Sequence, residues 1–213
     1  MMHPLTIKTF TFNPFGTNTY VVSDGAEAMI IDASADSAPA QEAVATHVQE
    51  QKLKVTHLVL THAHIDHVFG MTAWATAFSL PWHAHPDSLR MLEMIPMQSS
   101  MFGVPIAPPP SPKHLISHGM HLTALGRTFS VLHVPGHSPD SIALYTAGHC
   151  FVGDALFRES IGRTDLPGGD ADTLYASIQQ QLYTLPADTV VYPGHGPTTT
   201  IGHEAAHNPF VRA

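Results

Sequence analysis

The sequence predicts an α+β fold: two packed sheets with helices on the outside, in one domain. Three observations point there. The chain has 213 residues, 44% of them hydrophobic, which suits one large domain better than two small ones and buries roughly 70% or more of the unfolded surface. The patterns run strand-rich, helical, strand-rich, helical. No shift of composition marks a linker.

The elements follow in order. "LTIKTFTF" alternates loosely, and "TYVV" and "AMIID" are β-branched or apolar, with Gly16, Asn18 and Asp24-Gly25 as punctuation. Ala38 to Lys52 reads as a helix, "VTHLVL" as a buried strand, and Asp66 to Phe78 as an apolar helix. "LPWHAH" suggests a short strand, and Pro86 to Ile95 a helix with proline in its first turn. Six of the seventeen residues from Pro96 to Pro112 are proline, which predicts an irregular excursion of the sort used as lids or binding loops. "TFSVLHV", "SIALYTA" and "HCFVGD" are strands again. Leu174, Ile178, Leu182 and Leu185 fall at helical spacing after Asp172 as cap, "DTVVY" is a last core strand, and a short helix follows from His203.

Charged residues make up 12% of the chain, about half the usual ~25%, and 17 histidines partly fill the gap. The formal net charge of −8, with nine Lys and Arg, argues against nucleic acid, which needs a basic footprint. The lone Cys150 excludes an internal disulfide and a thiolate zinc finger, and its apolar surroundings make it a filler. "MMHPLTIKTFTFNPFG" has neither a charged leader region nor an unbroken apolar stretch, and no window approaches 18 apolar residues. The expectation is a cytoplasmic protein with no membrane partner.

Four strand ends release metal-ligand side chains into loops containing Gly or Pro. They are "LVLTHAHIDH" (His62, His64, Asp66, His67), "LHVPGHSPDS" (His137), "CFVGDALF" (Asp154) and "VVYPGHGPT" (His195). Small neighbours let the backbone turn sharply and let an ion approach. In a loop after a strand, His62 and His64 can grip one ion while Asp66 and His67 face a second. His137 then completes the first site, His195 completes the second, and Asp154 can bridge them. Each ion keeps room for a water, as a catalytic site requires. The pattern HxHxDH arises by chance in about one chain in two hundred of this composition, and the other three strand ends lower that further.

Other histidines read as structural. His83 and His85 alternate on a strand with no further ligand at useful spacing, and His114, His118, His121, His133, His203 and His207 are treated likewise. Met91, Met94, Met97 and Met101 at helical spacing suggest core packing. Asp32, ending "MIID", is placed to support the ligand loops. Arg158 and Arg163 flank the loop after Asp154, where either could meet a substrate carboxylate.

"THAHIDH" with the later His137, Asp154 and His195 resembles the metallo-β-lactamase superfamily, which implies a four-layer αββα sandwich with a dinuclear site at one edge. "GDALFRESIGRTDLPGGD", the proline-rich excursion and the terminal "NPF" are similar to the short glyoxalase II-like hydrolases and, less closely, to persulfide dioxygenases. The resemblance covers essentially the whole chain. It implies two divalent ions, zinc first, with iron or manganese as alternatives. Full-length glyoxalase II adds a C-terminal helical region that contacts glutathione, whereas this sequence ends soon after His195 and is expected to lack it. Pro197 in "GHGPT" stands where those enzymes have a substrate-contacting tyrosine, while Arg163 falls at a basic glutathione contact.

The expected function is metal-dependent hydrolysis of thioesters such as S-lactoylglutathione. A pair of ions ~3.5–4 Å apart can hold a bridging hydroxide, and Asp66 can orient it as well as ligate. A thiolate of pKa near 8.5 leaves with little acid help, so the lack of an extra general acid is compatible with thioesters. The alternatives are another ester or lactone, and an iron persulfide dioxygenase in which His62, His137 and Asp154 form a two-His-one-carboxylate triad. A non-catalytic metal module fits less well, since the ligand set leaves water positions open.

Overall fold

The β-branched and apolar runs become strands, and the loops between them carry the polar residues. The computed structural model describes residues 4–212, so the first three residues of the leader reading lie outside them. The chain groups into two compact units. One holds residues up to 115 with 123–127, and the other 116–122 with 128 onward.

The first unit carries a six-stranded sheet: β1 (Thr6–Phe12), β2 (Thr17–Ser23), β3 (Glu27–Ile31), β4 (Lys54–Val59), β5 (Trp82–Ala84) and β6 (His114–Leu115), in sequence order. β1 to β3 pair antiparallel, and β3 to β6 pair parallel. Helix α1 (Ala38–Glu50) crosses between β3 and β4. Ser37 caps it by accepting from the Ala40 amide, and Val44 and Val48 go into the core beside Leu58, Trp74 and Trp82.

The predicted helix over 66–78 is two helices, α2 (Ile65–Val68) and α3 (Met71–Ala77). The break lies at Gly70, whose amide donates outward to the Ala33 carbonyl at 2.7 Å. A Cβ there would meet the carbonyl oxygens of Ala35 and Ala33 at 3.0 and 3.1 Å, so a larger residue would force the loop after β3 to give by a few tenths of an ångström.

Helix α4 (Ser88–Glu93) starts later than expected and leaves Pro86 outside it. The excursion expected over 96–112 is irregular only from Gly103. Ile95–Phe102 forms α5, with Pro96 in the first turn, where no amide is needed, and Gly103 at φ 67° ending it. Met91 is buried, but Met97 and Met101 are 43% and 54% exposed, so core packing explains only the start of that series. No helix among the described residues is long and apolar enough to cross a membrane.

Apart from residues 123–127, the second unit carries β7 (His121–Ala124), β8 (Arg127–His133), β9 (Ile142–Thr146), β10 (His149–Gly153), a small hairpin β11 (Leu156–Phe157) and β12 (Ser160–Ile161), β13 (Val190–Pro193) and β14 (Thr199–Thr200). The larger sheet has the order β14-β13-β10-β9-β8-β7, with β10 and β13 parallel. β7 and the pairs formed by β11, β12 and β14 are too short to carry a periodic signal.

Helix α6 (Ala171–Ser177) is capped by Asp170, which accepts from the Thr173 amide at 2.7 Å, two residues before the expected cap. It runs into a wider π turn over Ile178–Leu182. Leu174, Ile178 and Leu182 are buried with Val134, Val152 and Val191, while Leu185 packs only at the margin. Helix α7 (Ile201–His207) begins two residues earlier than predicted, because the Thr200 hydroxyl caps it.

His83 is a core histidine, as expected. Burial, and then the neighbouring His114 and His57, push it down to about 4 against the pull of its bond to the Leu58 carbonyl. The unfolded chain takes up this proton near pH 6.5, whereas the folded chain refuses it until about pH 4. Its stabilising contribution is therefore intact above pH 6.5 and is lost as pH falls toward 4. Denaturant midpoints should fall across that window, and less steeply in His83→Asn.

Candidate metal centre

In the first unit β4 is a buried parallel strand that ends at Val59. Leu60 and Thr61 continue it into the loop that places His62 and His64, and one turn of α2 then places Asp66 and His67. All four side chains are buried. The His62 ring lies 4.8 Å from that of His64 and 4.1 Å from that of His67, and His67 Nε2 is 3.4 Å from Asp66 Oδ2. The unit thus gathers three imidazoles and a carboxylate within a few ångströms.

Asp32 organises this group, as its position after β3 suggested. Its Oδ1 accepts from the Thr61 amide at 2.7 Å, and its Oδ2 from the Thr61 hydroxyl at 2.7 Å and from His67 Nδ1 at 2.9 Å. Donation to a carboxylate puts the His67 proton on Nδ1 and leaves Nε2 as the ligand atom. The Thr61 hydroxyl gives its proton to Asp32, so it accepts from His62 Nδ1 at 3.2 Å. His62 therefore also presents Nε2. Asp32 sits at φ 57°, a conformation rare outside glycine that aspartate tolerates better than most residues.

Other supports carried no sequence signal. Thr17 donates to Asp66 Oδ2 at 2.6 Å, and the Asn13 amide holds the carbonyls of Ser34 and Asp66 at 3.0 and 3.1 Å. Gln98 of α5 accepts from the Ile65 amide at 2.9 Å. Threonine, asparagine and glutamine are common loop residues, so only the fold marks these three.

In the second unit His137 follows β8, Asp154 follows β10 and His195 follows β13. Asp154 Oδ2 lies 3.5 Å from His137 Nε2 and 3.3 Å from His195 Nε2. The unit therefore has its own carboxylate between two imidazoles. His137 Nδ1 donates to the Arg163 carbonyl at 2.7 Å, which turns its Nε2 toward Asp154. That approach needs Gly162, since a Cβ there would come within 1.9 Å of the Asp154 carbonyl oxygen. A bond from the Gly194 amide to the Gly153 carbonyl at 2.7 Å ties the ends of β10 and β13.

The two arginines behave differently from one another. Arg163 is exposed, and its guanidinium grips Asp165 with two bonds of 2.6 and 2.7 Å, which holds the Asp165 carboxyl down to about 2. Its backbone carbonyl is the part that meets a candidate ligand. Arg158 lines an open hollow of about 350 Å³ with Val190, Thr198, Thr199, Thr200 and His203. Cys150 is fully buried and burial pushes its thiol up, so it acts as filler.

Imidazole nitrogens and carboxylate oxygens, with Nδ1 of three rings already engaged, suit zinc, iron or manganese. The donors present therefore fit divalent metal ions.

The sequence pattern of the metallo-β-lactamase superfamily matches residues 12–195. The chain is 32% identical over 214 residues to the hydroxyacylglutathione hydrolase GloC of Haemophilus influenzae, covering 98% of this chain and 99% of that one. Among solved structures it resembles the BLEG-1 B3 metallo-β-lactamase, with a TM-score of 0.90, 40% identity, and coverage of 98% of this chain and 100% of that chain. It also resembles TTHA1623 in a di-iron-bound form, with a TM-score of 0.85, 39% identity, and coverage of 96% and 100%.

Replacing Asp32 with alanine removes the acceptor for His67 and Thr61. Metal affinity should fall about 10–100-fold, measured as metal retained per chain against a graded chelator.

Proposed function

The chain belongs to the metallo-β-lactamase superfamily, and from that premise we propose that this metallo-hydrolase cleaves thioesters of the S-lactoylglutathione type. The reading treats residues 1–213 as one domain acting in the cytoplasm on a small-molecule thioester. His62, His64 and His137 would hold one ion, Asp66, His67 and His195 a second, and Asp154 would serve both. The carrying observation is that each unit presents its ligand residues as one cluster, with ring tautomers set by Asp32, Thr61 and the Arg163 carbonyl.

Bound divalent ions would supply a water of pKa near 7 and polarise the thioester carbonyl. The protein's part is to hold donors and substrate. Asp66, steadied by Thr17 at 2.6 Å, can accept a proton from an attacking water. Arg158 is exposed, has no ion pair among the described residues and can meet a substrate carboxylate. Arg163 would have to leave Asp165 to do so. A thiolate leaves with little acid help, in keeping with the lack of a further acid in either cluster. The likeness to GloC across nearly the whole of both chains supports glutathione thioesters as the first substrates to try. Zinc is the first choice of metal, and the di-iron neighbour keeps iron beside it, with manganese third.

Purified protein should release free thiol from S-lactoylglutathione while holding close to two metal ions per chain. His62→Ala should lower that rate at least ~100-fold, because a lost ligand costs more than a lost supporting residue. No thiol release, with one iron per chain and oxygen uptake on a persulfide, would replace hydrolysis with dioxygenation.

A further inference from the structure

Helix α5 leaves an apolar flank uncovered beside the ligand segment of the first unit. Seven large apolar side chains stay exposed among the described residues, and three of them gather here: Met97, Met101 and Phe15. Single exposed apolar residues are ordinary, whereas a grouped set marks a surface that something covers.

Two polar side chains fix this group against residues 62–67. Gln98 of α5 is buried, accepts from the Ile65 amide at 2.9 Å and donates to the Ala63 carbonyl at 3.5 Å, so it straddles His64. Met101 and Phe102 stand three and four residues further on, the spacing that shares a helix face with Gln98. Met97 lies one turn before Met101. From the other side the Asn13 amide holds the Asp66 carbonyl at 3.1 Å, and Asn13 Oδ1 accepts from the Phe15 amide at 2.9 Å. Phe15 then meets Phe102 edge to face, with ring centroids 5.4 Å apart and planes at 85°. Turn and helix thus make one apolar rim, tied by direct bonds to the backbone between His62 and His67.

Its composition names the occupant. Neither "IPMQSSMF" nor the turn "NPFG" contains a Lys, Arg, Asp or Glu. The carboxylates and ammonium of a carrier such as glutathione would lose water here without gaining a charged partner. An alkyl chain loses nothing by leaving water, and two methionines with flexible thioethers adapt to its shape.

We infer that Met97, Met101, Phe102 and Phe15 form a wall that receives an apolar acyl chain, and that the preferred thioesters carry alkyl groups longer than lactoyl. The inference rests on the thioesterase reading for the carbonyl at which that chain ends. A lactoyl group offers one methyl beside a hydroxyl, and so covers little of the rim.

S-methylglutathione and S-hexylglutathione are thioethers with no carbonyl to attack. Their binding to holoprotein, followed by calorimetry, therefore reads the wall apart from hydrolysis. The hexyl compound should bind at least about tenfold more tightly, since each methylene taken from water adds to affinity. Met101→Ser and Phe15→Ser, both at exposed positions, should cut that ratio to about threefold or less, and Met101→Leu should keep it. Equal affinity for the two thioethers, or a ratio that neither serine variant moves, would overturn the wall. So would a dimer in solution that Met101→Ser dissociates, which would give the face to a second copy of the chain. A hexyl preference lost in the serine variants, with no thiol release from S-hexanoylglutathione, would uphold the wall and remove the hydrolysis reading instead.

Discussion

The Asp32 carboxylate is the interaction on which the first ligand cluster depends. It is buried, and a buried charge is tolerated only when its oxygens are saturated. Here three bonds do so, from the Thr61 amide, the Thr61 hydroxyl and His67 Nδ1. The same three bonds join the end of β3 to the loop after β4 and set the tautomers of His67 and, through Thr61, His62. One side chain therefore satisfies a folding constraint and a chemical one. Removing this acceptor leaves buried donors at Thr61 and His67 without a partner, at about 1–3 kcal/mol each, so metal affinity and stability are coupled at this residue.

The second unit reaches a similar result with backbone rather than a second carboxylate. Asp154 lies between His137 and His195, and the Arg163 carbonyl fixes the His137 ring. A carbonyl can do this only at close range, which is why Gly162 stands beside it. Both units also use parallel strand pairs. Asp32 and His62 follow the C-terminal ends of β3 and β4, and Asp154 and His195 follow those of β10 and β13. Parallel neighbours end at one edge, so residues distant in sequence are released side by side, as ligand sites in sheets with parallel strands commonly require.

Much of this was legible in the residue pattern. The strand runs, α1 and the four ligand-bearing strand ends all lie where apolar periodicity and Gly-Pro punctuation put them. The misses share a cause. The break at Gly70 comes from an amide that bonds to Ala33 rather than along its own helix. α5 was hidden by Pro96, which breaks helices except in the first turn, and the exposure of Met97 and Met101 could not follow from spacing alone. The cap at Asp170 instead of Asp172 is a two-residue shift between equally good capping residues.

What the sequence determined by itself is the set of candidate ligand side chains, "THAHIDH" with His137, Asp154 and His195, and the strand ends that carry them. These are local facts, because a strand's burial and a loop's chemistry are written in neighbouring residues. Only the tertiary structure decided which nitrogen His62, His67 and His137 present. The groups that decide it, Asp32 for His67 and Arg163 for His137, lie 35 and 26 residues away in the chain. No periodicity spans such distances. The pairing of strands brings those groups together, and the need to satisfy every buried polar atom then selects the partner.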